Sequence, residues 1–119
     1  MVDCSSPIYI QIIEKIKFAI ISGQYEPGEK LPGVRELALN NKVNPNTIQK
    51  AMAELESLGL IYTESTNGKF VTKDKNIICK VKEKSAKKIV NEYVETMRQM
   101  GISVEEAIEY MINKGDKNE

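Results

Sequence analysis

The stretch LPGVRELALNNKVNPNTIQKAMAELESLGL, Leu31 to Leu60, reads as two helices joined by a tight turn. Asn44 is placed to cap the second helix, its side-chain oxygen accepting an amide hydrogen that has no carbonyl partner inside the helix. Pro45 suits the first helical position, where a missing N–H costs nothing and φ is already helical. The helix should run to about Leu58, with Gly59 supplying the left-handed residue beyond it. At about 100° per residue, Ile48, Ala51, Met52, Leu55 and Leu58 fall on one stripe, which must pack inward. The first two turns then present Asn44, Asn46, Thr47, Gln49 and Lys50 to the outside, and Lys42 and Lys50 are the only charges between Leu37 and Ala53.

Those residue types suit a base edge. Amides can bond adenine bidentately, threonine can bond a base or touch a thymine methyl, and lysine can reach guanine or phosphate. Taken alone, the same face is also what any solvated helix shows. Its neighbours decide between the two. The preceding helix, about Val34 to Asn40, turns Leu37 and Ala38 inward and carries Arg35 near its start. The Asn40-Asn41-Lys42 turn is short enough to cross the two helices steeply, which is helix-turn-helix grammar. After Gly59, the runs Leu60-Ile61-Tyr62-Thr63 and Lys69-Phe70-Val71-Thr72 read as short strands. Asn67-Gly68 between them signals a hairpin, because both residues tolerate positive φ.

Upstream, Ser6-Pro7 resembles a cap followed by proline. Ile8, Ile12, Ile13, Ile16 and Ile20 then recur at helical spacing to about Ser22, where Gly23 ends the helix. That stripe should cover the inner face of the second helix of the pair, and Tyr9 and Gln11 are assigned a structural role. Gln24 to Pro32 is a connector punctuated by Pro27-Gly28, within which Glu29-Lys30-Leu31 can pair with the hairpin. The expected fold is therefore mostly α with a small β-hairpin: an N-terminal winged helix-turn-helix over residues 1–75 and a helical tail over residues 76–119.

Taken together, Pro7-Ile8-Tyr9-x-Gln11-Ile12, Ile21-x-Gly23-x-Tyr25-x-Pro27-Gly28-x-x-Leu31-Pro32-x-x-Arg35-Glu36-Leu37-Ala38, Val43-Asn44-Pro45-Asn46-Thr47-Ile48 and Leu55-Glu56-x-x-Gly59-Leu60-Ile61 resemble a GntR-family transcription regulator. The likeness spans about Pro7 to Thr72, and the short tail is similar to the YtrA-like subfamily. It implies a DNA-binding face of Arg35, Asn44, Pro45, Asn46, Thr47, Gln49 and Lys50, joined by the wing residues Thr66, Gly68 and Lys69. The alternative for Arg35 is a surface ion pair. Close relatives carry arginines and two glycines at the wing tip, as in Arg-Arg-Gly-Lys-Gly-Thr, whereas this chain has Glu64-Ser65-Thr66-Asn67-Gly68-Lys69, which should weaken the wing's hold. Gly33 stands where the family often has serine, a substitution that costs a few tenths of a kcal/mol at a helix cap.

Composition sets the bounds. The 119 residues suit one compact domain and an appendage, and 41% hydrophobic with 29% charged is an ordinary globular balance. Lys+Arg and Asp+Glu both number 17, so net charge is zero. Bulk electrostatics would not mark this chain as a nucleic-acid binder, and phosphate contacts should be few and local. No membrane span and no secretory leader is evident, and a cytoplasmic location is expected. Cys4 and Cys79 lack CxxC partners and no histidine exists, so no metal or cofactor is expected. Cys79 reads as a small buried hydrophobe beside Ile77 and Ile78. The absence of histidine, of a phosphate loop and of paired carboxylates argues against an enzyme.

Lys73-Asp74-Lys75-Asn76 reads as a polar link. From about Lys82 to Met100, Ala86, Val90, Tyr93, Met97 and Met100 alternate spacings of four and three, with Ile89 and Val94 widening the stripe. Gly101 stops this helix, and Ser103 with Glu106 forms a capping box for a second, which carries Val104, Ala107, Ile108, Met111 and Ile112. Two short helices cannot bury both stripes against each other, so a partner surface is implied, most simply a second copy. The dimerisation residues expected on this basis are Ile89, Val90, Tyr93, Val94, Met97, Met100, Ile108 and Met111; the competing arrangement folds the tail back on its own winged domain. A small-molecule pocket takes about 300 Å³ or more, so any effector, unnamed by the sequence, would have to sit at the dimer interface. The reading that emerges is a homodimeric repressor binding double-stranded DNA at an inverted repeat, with a winged-helix protein-interaction module as the alternative.

Overall fold

A computed structural model describes residues 7–113. Among the described residues the order is α1 (Ile8–Ile21), α2 (Val34–Asn41), α3 (Pro45–Ser57), β1 (Ile61–Glu64), β2 (Gly68–Val71), α4 (Lys75–Gln99) and α5 (Val104–Ile112). This is the mostly helical winged helix-turn-helix, with C-terminal helices, that the sequence implies. None of these helices is long and apolar enough to cross a membrane. The chain divides into two compact units, Met1–Lys82 and Glu83–Glu119.

In the first unit, the α1 stripe of Ile12, Ile13, Ile16 and Ile20 packs with Ile48, Ala51, Met52 and Leu55 of α3, and α2 adds Leu37 and Ala38. Leu31, Leu60, Ile61 and Val71 complete the cluster from the wing side. Ile48, Ala51, Met52 and Leu55 are fully buried. Each large aliphatic chain so buried contributes about 1.5–3 kcal/mol, so the orientation of α3 is set by its inner face. Two residues depart from the expected stripes: Ile8 is 50% exposed and Leu58 43%. Both stand at helix ends, Leu58 as the C-cap of α3, where the stripe runs past its packing partners.

Local chemistry fixes the helix limits. Pro7, not Ser6, occupies the N-cap of α1 and offers no side-chain cap; Ser6 and Cys4 lie outside the described residues. Gly33 caps α2 without a side-chain bond. Lys42 closes α2 in the left-handed region, φ 56 and ψ 47, and Val43 N–H then donates to Ala38 C=O at 3.0 Å. Asn44 caps α3 as expected, its side chain accepting from Asn46 N–H at 2.8 Å.

The wing pairs Ile61 with Val71, Tyr62 with Phe70, Thr63 with Lys69 and Glu64 with Gly68. Glu29-Lys30-Leu31 joins it as the sequence suggests: Lys30 bridges Phe70, Leu31 N–H donates to Lys69 C=O, and Val71 N–H donates to Glu29 C=O. The Tyr62 and Phe70 rings stack at 5.7 Å on one face of the hairpin. The turn corrects the Asn-Gly reading. Ser65, Thr66 and Asn67 form a three-residue loop, and positive φ falls on Ser65 (36°) and Gly68 (104°), not on Asn67. The larger positive φ falls on the glycine, the residue that adopts it without a steric cost.

α4 starts well before the seam repeat does. The Asp74 carboxylate accepts Asn76 N–H at 2.9 Å, so the polar link is a helix start. The first turns belong with the first unit because Ile77, Ile78 and Val81 pack on its core. Cys79 is exposed, correcting its assignment as buried. It lies on the side of α4 opposite those three residues.

In the second unit, Gly101 (φ 82) ends α4, and the Ser103–Glu106 capping box opens α5. Tyr93 Oη donates to Ala107 C=O at 2.6 Å, and Ala107 is buried. Tyr93, Val94 and Met97 are half-buried. Ile89, Val90, Met100, Ile108 and Met111 remain exposed, as do Val104, Tyr110 and Ile112, the last at 73%.

Candidate nucleic-acid interface

The α1–α3 core leaves the opposite side of α3 to solvent. Asn44, Pro45, Asn46, Gln49 and Lys50 are exposed there, and Thr47 is half-buried. Asn44 uses its side-chain oxygen locally, so its amide N–H groups are what it can offer outward. Arg35, in the first turn of α2, is exposed and makes no ion pair with any described residue. Among the described residues none takes up a guanidinium donor, which leaves the group to reach guanine O6 and N7 or a phosphate.

The turn brings part of this set together. Arg35, Leu39, Lys42, Val43, Asn44 and Pro45 line one open depression between α2 and the start of α3. The sequence marks Lys42 as one of two charges in this region without assigning it to the DNA-binding face, and gives no role to Leu39, which is 80% exposed. The signal for Leu39 is its spacing of four from Arg35, which puts both on one side of α2.

The wing residues do not border that depression. Thr66 is exposed at the tip, and Gly68 is required by its backbone: φ is 104°, and a Cβ would meet Lys30 Cε at 3.3 Å. Lys69 is committed elsewhere. Its ammonium donates to Thr63 Oγ1 at 2.7 Å and lies 3.5 Å from Glu56 Oε1, while Thr63 Oγ1 donates to Glu56 Oε2 at 3.1 Å. A cross-strand pair and a helix carboxylate thus hold the one lysine of the wing against α3.

Lys50 is held differently. Its ammonium sits over the Tyr9 ring, 3.9 Å from the centroid, so Tyr9, assigned a structural role from sequence, touches the outward face of α3. The Asn41 amide, beneath the turn, is bonded both ways: Nδ2 donates to Leu37 C=O at 2.8 Å and Oδ1 accepts from Lys15 Nζ at 2.9 Å.

A helix-turn-helix with this polar outer face and an adjoining wing matches the family model for bacterial regulatory proteins, gntR family, over residues 8–71, more than half of the chain. The chain belongs to the gntR family. It is a DNA-binding transcriptional regulator of that family. Among its relatives, the HTH-type transcriptional regulator YhcF of Bacillus subtilis is 38% identical, covering 88% of this chain and 87% of that protein. The HTH-type transcriptional repressor YtrA of the same organism is 34% identical over 97% and 94% of the two chains. A GntR family transcriptional regulator from Listeria monocytogenes superposes with a TM-score of 0.88 at 42% identity, covering 94% of this chain and 98% of that one. AraR(DBD), crystallised in complex with operator ORX1, matches 60% of this chain and 87% of its own at 35% identity, TM-score 0.56.

Proposed function

We propose that the chain is a homodimeric repressor whose two α3 helices read the half-sites of an inverted-repeat operator in double-stranded DNA. The observation that carries this reading is the exposed set of Arg35 on α2 with Asn44, Asn46, Gln49 and Lys50 at the start of α3, two helices whose other sides are locked into the core. Arg35 and the start of α3 supply base contacts, with Thr47 and Pro45 at the edge of the major groove. The Thr66 side chain and the backbone at Thr66 and Gly68 supply wing contacts, and Lys69 adds to them only by leaving Glu56. Residues 1–75 act as the reading head and residues 76–119 as the dimerisation tail.

The second copy is supported by the apolar surface that α4 and α5 leave exposed at Ile89, Val90, Met100, Ile108 and Met111. An uncovered face of that kind marks an association site, and a two-fold dimer matches two half-sites about one helical turn apart. Tyr93, Val94 and Met97 shape that surface from within. Repression is supported by the name of the YtrA relative, which covers nearly the whole chain, and would follow from exclusion of polymerase by bound dimer. An effector, if one acts, would sit between the two tails.

The test is selection of bound duplexes from a random DNA pool, with a salt titration of the enriched sequence and sedimentation of the free protein. The reading expects an inverted repeat, a dimer, and log K falling linearly with log salt at about −0.9 per neutralised phosphate. Folded protein that enriches no sequence would refute it.

A further inference from the structure

The pairing of Lys50 with Tyr9 is a different kind of contact from the ion pairs that tether other lysines of the chain. Lys69 is held by Glu56, and Lys17 by Glu14 at 2.8 Å; each is fixed at the cost of its charge. Lys50 has no carboxylate partner among the described residues, and its ammonium rests on an aromatic face. A ring attracts a cation through its quadrupole and carries no net charge. It therefore orients the lysine while leaving the full positive charge available to an incoming anion. Tyr9 itself cannot easily shift, since it lies in the first turn of α1, is half-buried, and packs against the core that also holds α3. Lysine on a four-carbon stem is otherwise mobile, and ordering it on binding costs affinity.

From this geometry we infer that Tyr9 is a positioning residue of the DNA reader: its ring pre-orients the Lys50 ammonium for a phosphate or guanine of the operator half-site. This rests on the proposed function above. Tyr9 acts through its π face, so the hydroxyl is dispensable. Its contribution is confined to Lys50, so it disappears when Lys50 does. A cation–π contact at a partly exposed site corresponds to about two- to fivefold in an equilibrium constant. A dimer with two such pairs should show about four- to twenty-fivefold.

The experiment measures operator affinity by fluorescence anisotropy for wild type, Tyr9→Phe, Tyr9→Leu, Lys50→Ala and Tyr9→Leu/Lys50→Ala, each checked for an unchanged melting temperature and dimer mass. The inference expects Tyr9→Phe to match wild type and Tyr9→Leu to lose about four- to twenty-fivefold. Lys50→Ala should lose more and flatten the salt slope, and the double variant should equal Lys50→Ala. Equal losses for Phe and Leu would overturn it by assigning the effect to the hydroxyl. A Tyr9→Leu loss that persists without Lys50 would make Tyr9 merely structural. Lys50→Ala that leaves affinity and salt slope unchanged would also overturn it, while the reader itself stands. If Tyr9→Leu lowers the melting temperature, Tyr9→Met, which also removes the ring but keeps a long apolar chain, replaces it. Wild-type protein that binds no selected duplex refutes the function, which is a separate outcome.

Discussion

Replacing Glu56 by glutamine should strengthen binding to DNA, because it releases the one lysine of the wing. In the folded chain the Lys69 ammonium is held 2.7 Å from Thr63 Oγ1 and 3.5 Å from Glu56 Oε1. Glutamine keeps an oxygen to accept from Thr63 and removes the charge that opposes Lys69. The ion pair is partly exposed, with side-chain accessibilities of 23% for Lys69 and 41% for Glu56, so its loss should cost stability no more than about 1 kcal/mol. A freed lysine that neutralises one phosphate steepens the salt slope by about 0.9, and two wings by about 1.8. Between 200 and 50 mM salt, that slope alone amplifies the affinity gain of the variant over wild type by about twelvefold. Anisotropy titrations across that salt range measure it, with Glu54→Gln as the control: the same charge change on α3, with no lysine bound to it among the described residues. An Glu56→Gln slope that matches the Glu54→Gln slope would refute the reasoning, because the gain would then be bulk charge and Lys69 would not reach a phosphate.

Other positions give three more expected outcomes. Arg35→Ala should cost about 1–3 kcal/mol of operator binding and relax base preference at one position of each half-site, read by repeating the duplex selection. Ile108→Glu with Met111→Glu should give monomers that bind an inverted repeat poorly while far-UV circular dichroism is retained; sedimentation as a dimer would place the interface elsewhere. Ser103→Ala removes the hydroxyl that accepts Glu106 N–H at 3.2 Å and should destabilise α5 by about 0.5–2 kcal/mol, seen as faster amide exchange in Val104–Ile112.

The helices of the first unit were legible because each carries its own punctuation: Asn44 and Pro45 begin α3, Gly59 follows it, and the buried stripes repeat at helical spacing. Residues that obey two rules at once were harder to place. Asp74 is polar, which suits a linker, and it is also a helix cap; only the packing of Ile77, Ile78 and Val81 decides between them. Cys79 follows from that choice, since its exposure depends on where α4 begins. The hairpin loop was misjudged by one residue because Asn67 can adopt positive φ but the register gives that place to Gly68. Within the candidate site, the exposed side of α3 was readable from periodicity. That Lys69 holds Glu56 and Lys50 holds Tyr9 was not, because each partner lies on a different element from its lysine and only the fold brings the pair together. In the tail, Tyr93 satisfied the seam repeat yet spends its hydroxyl on Ala107 within the same chain.

Lys42 stands at φ 56 between α2 and α3, a conformation that costs a side-chain-bearing residue about 1–2 kcal/mol and glycine almost nothing. It also borders the depression shared by Arg35 and Asn44. A glycine there would make the turn easier to form and would leave the same depression with one cation fewer. Lys42→Gly should accordingly melt later and bind operator less tightly, the two properties moving in opposite directions. A turn of that kind is a trade between durability and affinity. Selection of this chain for heat tolerance alone would be expected to erode its grip on DNA at position 42.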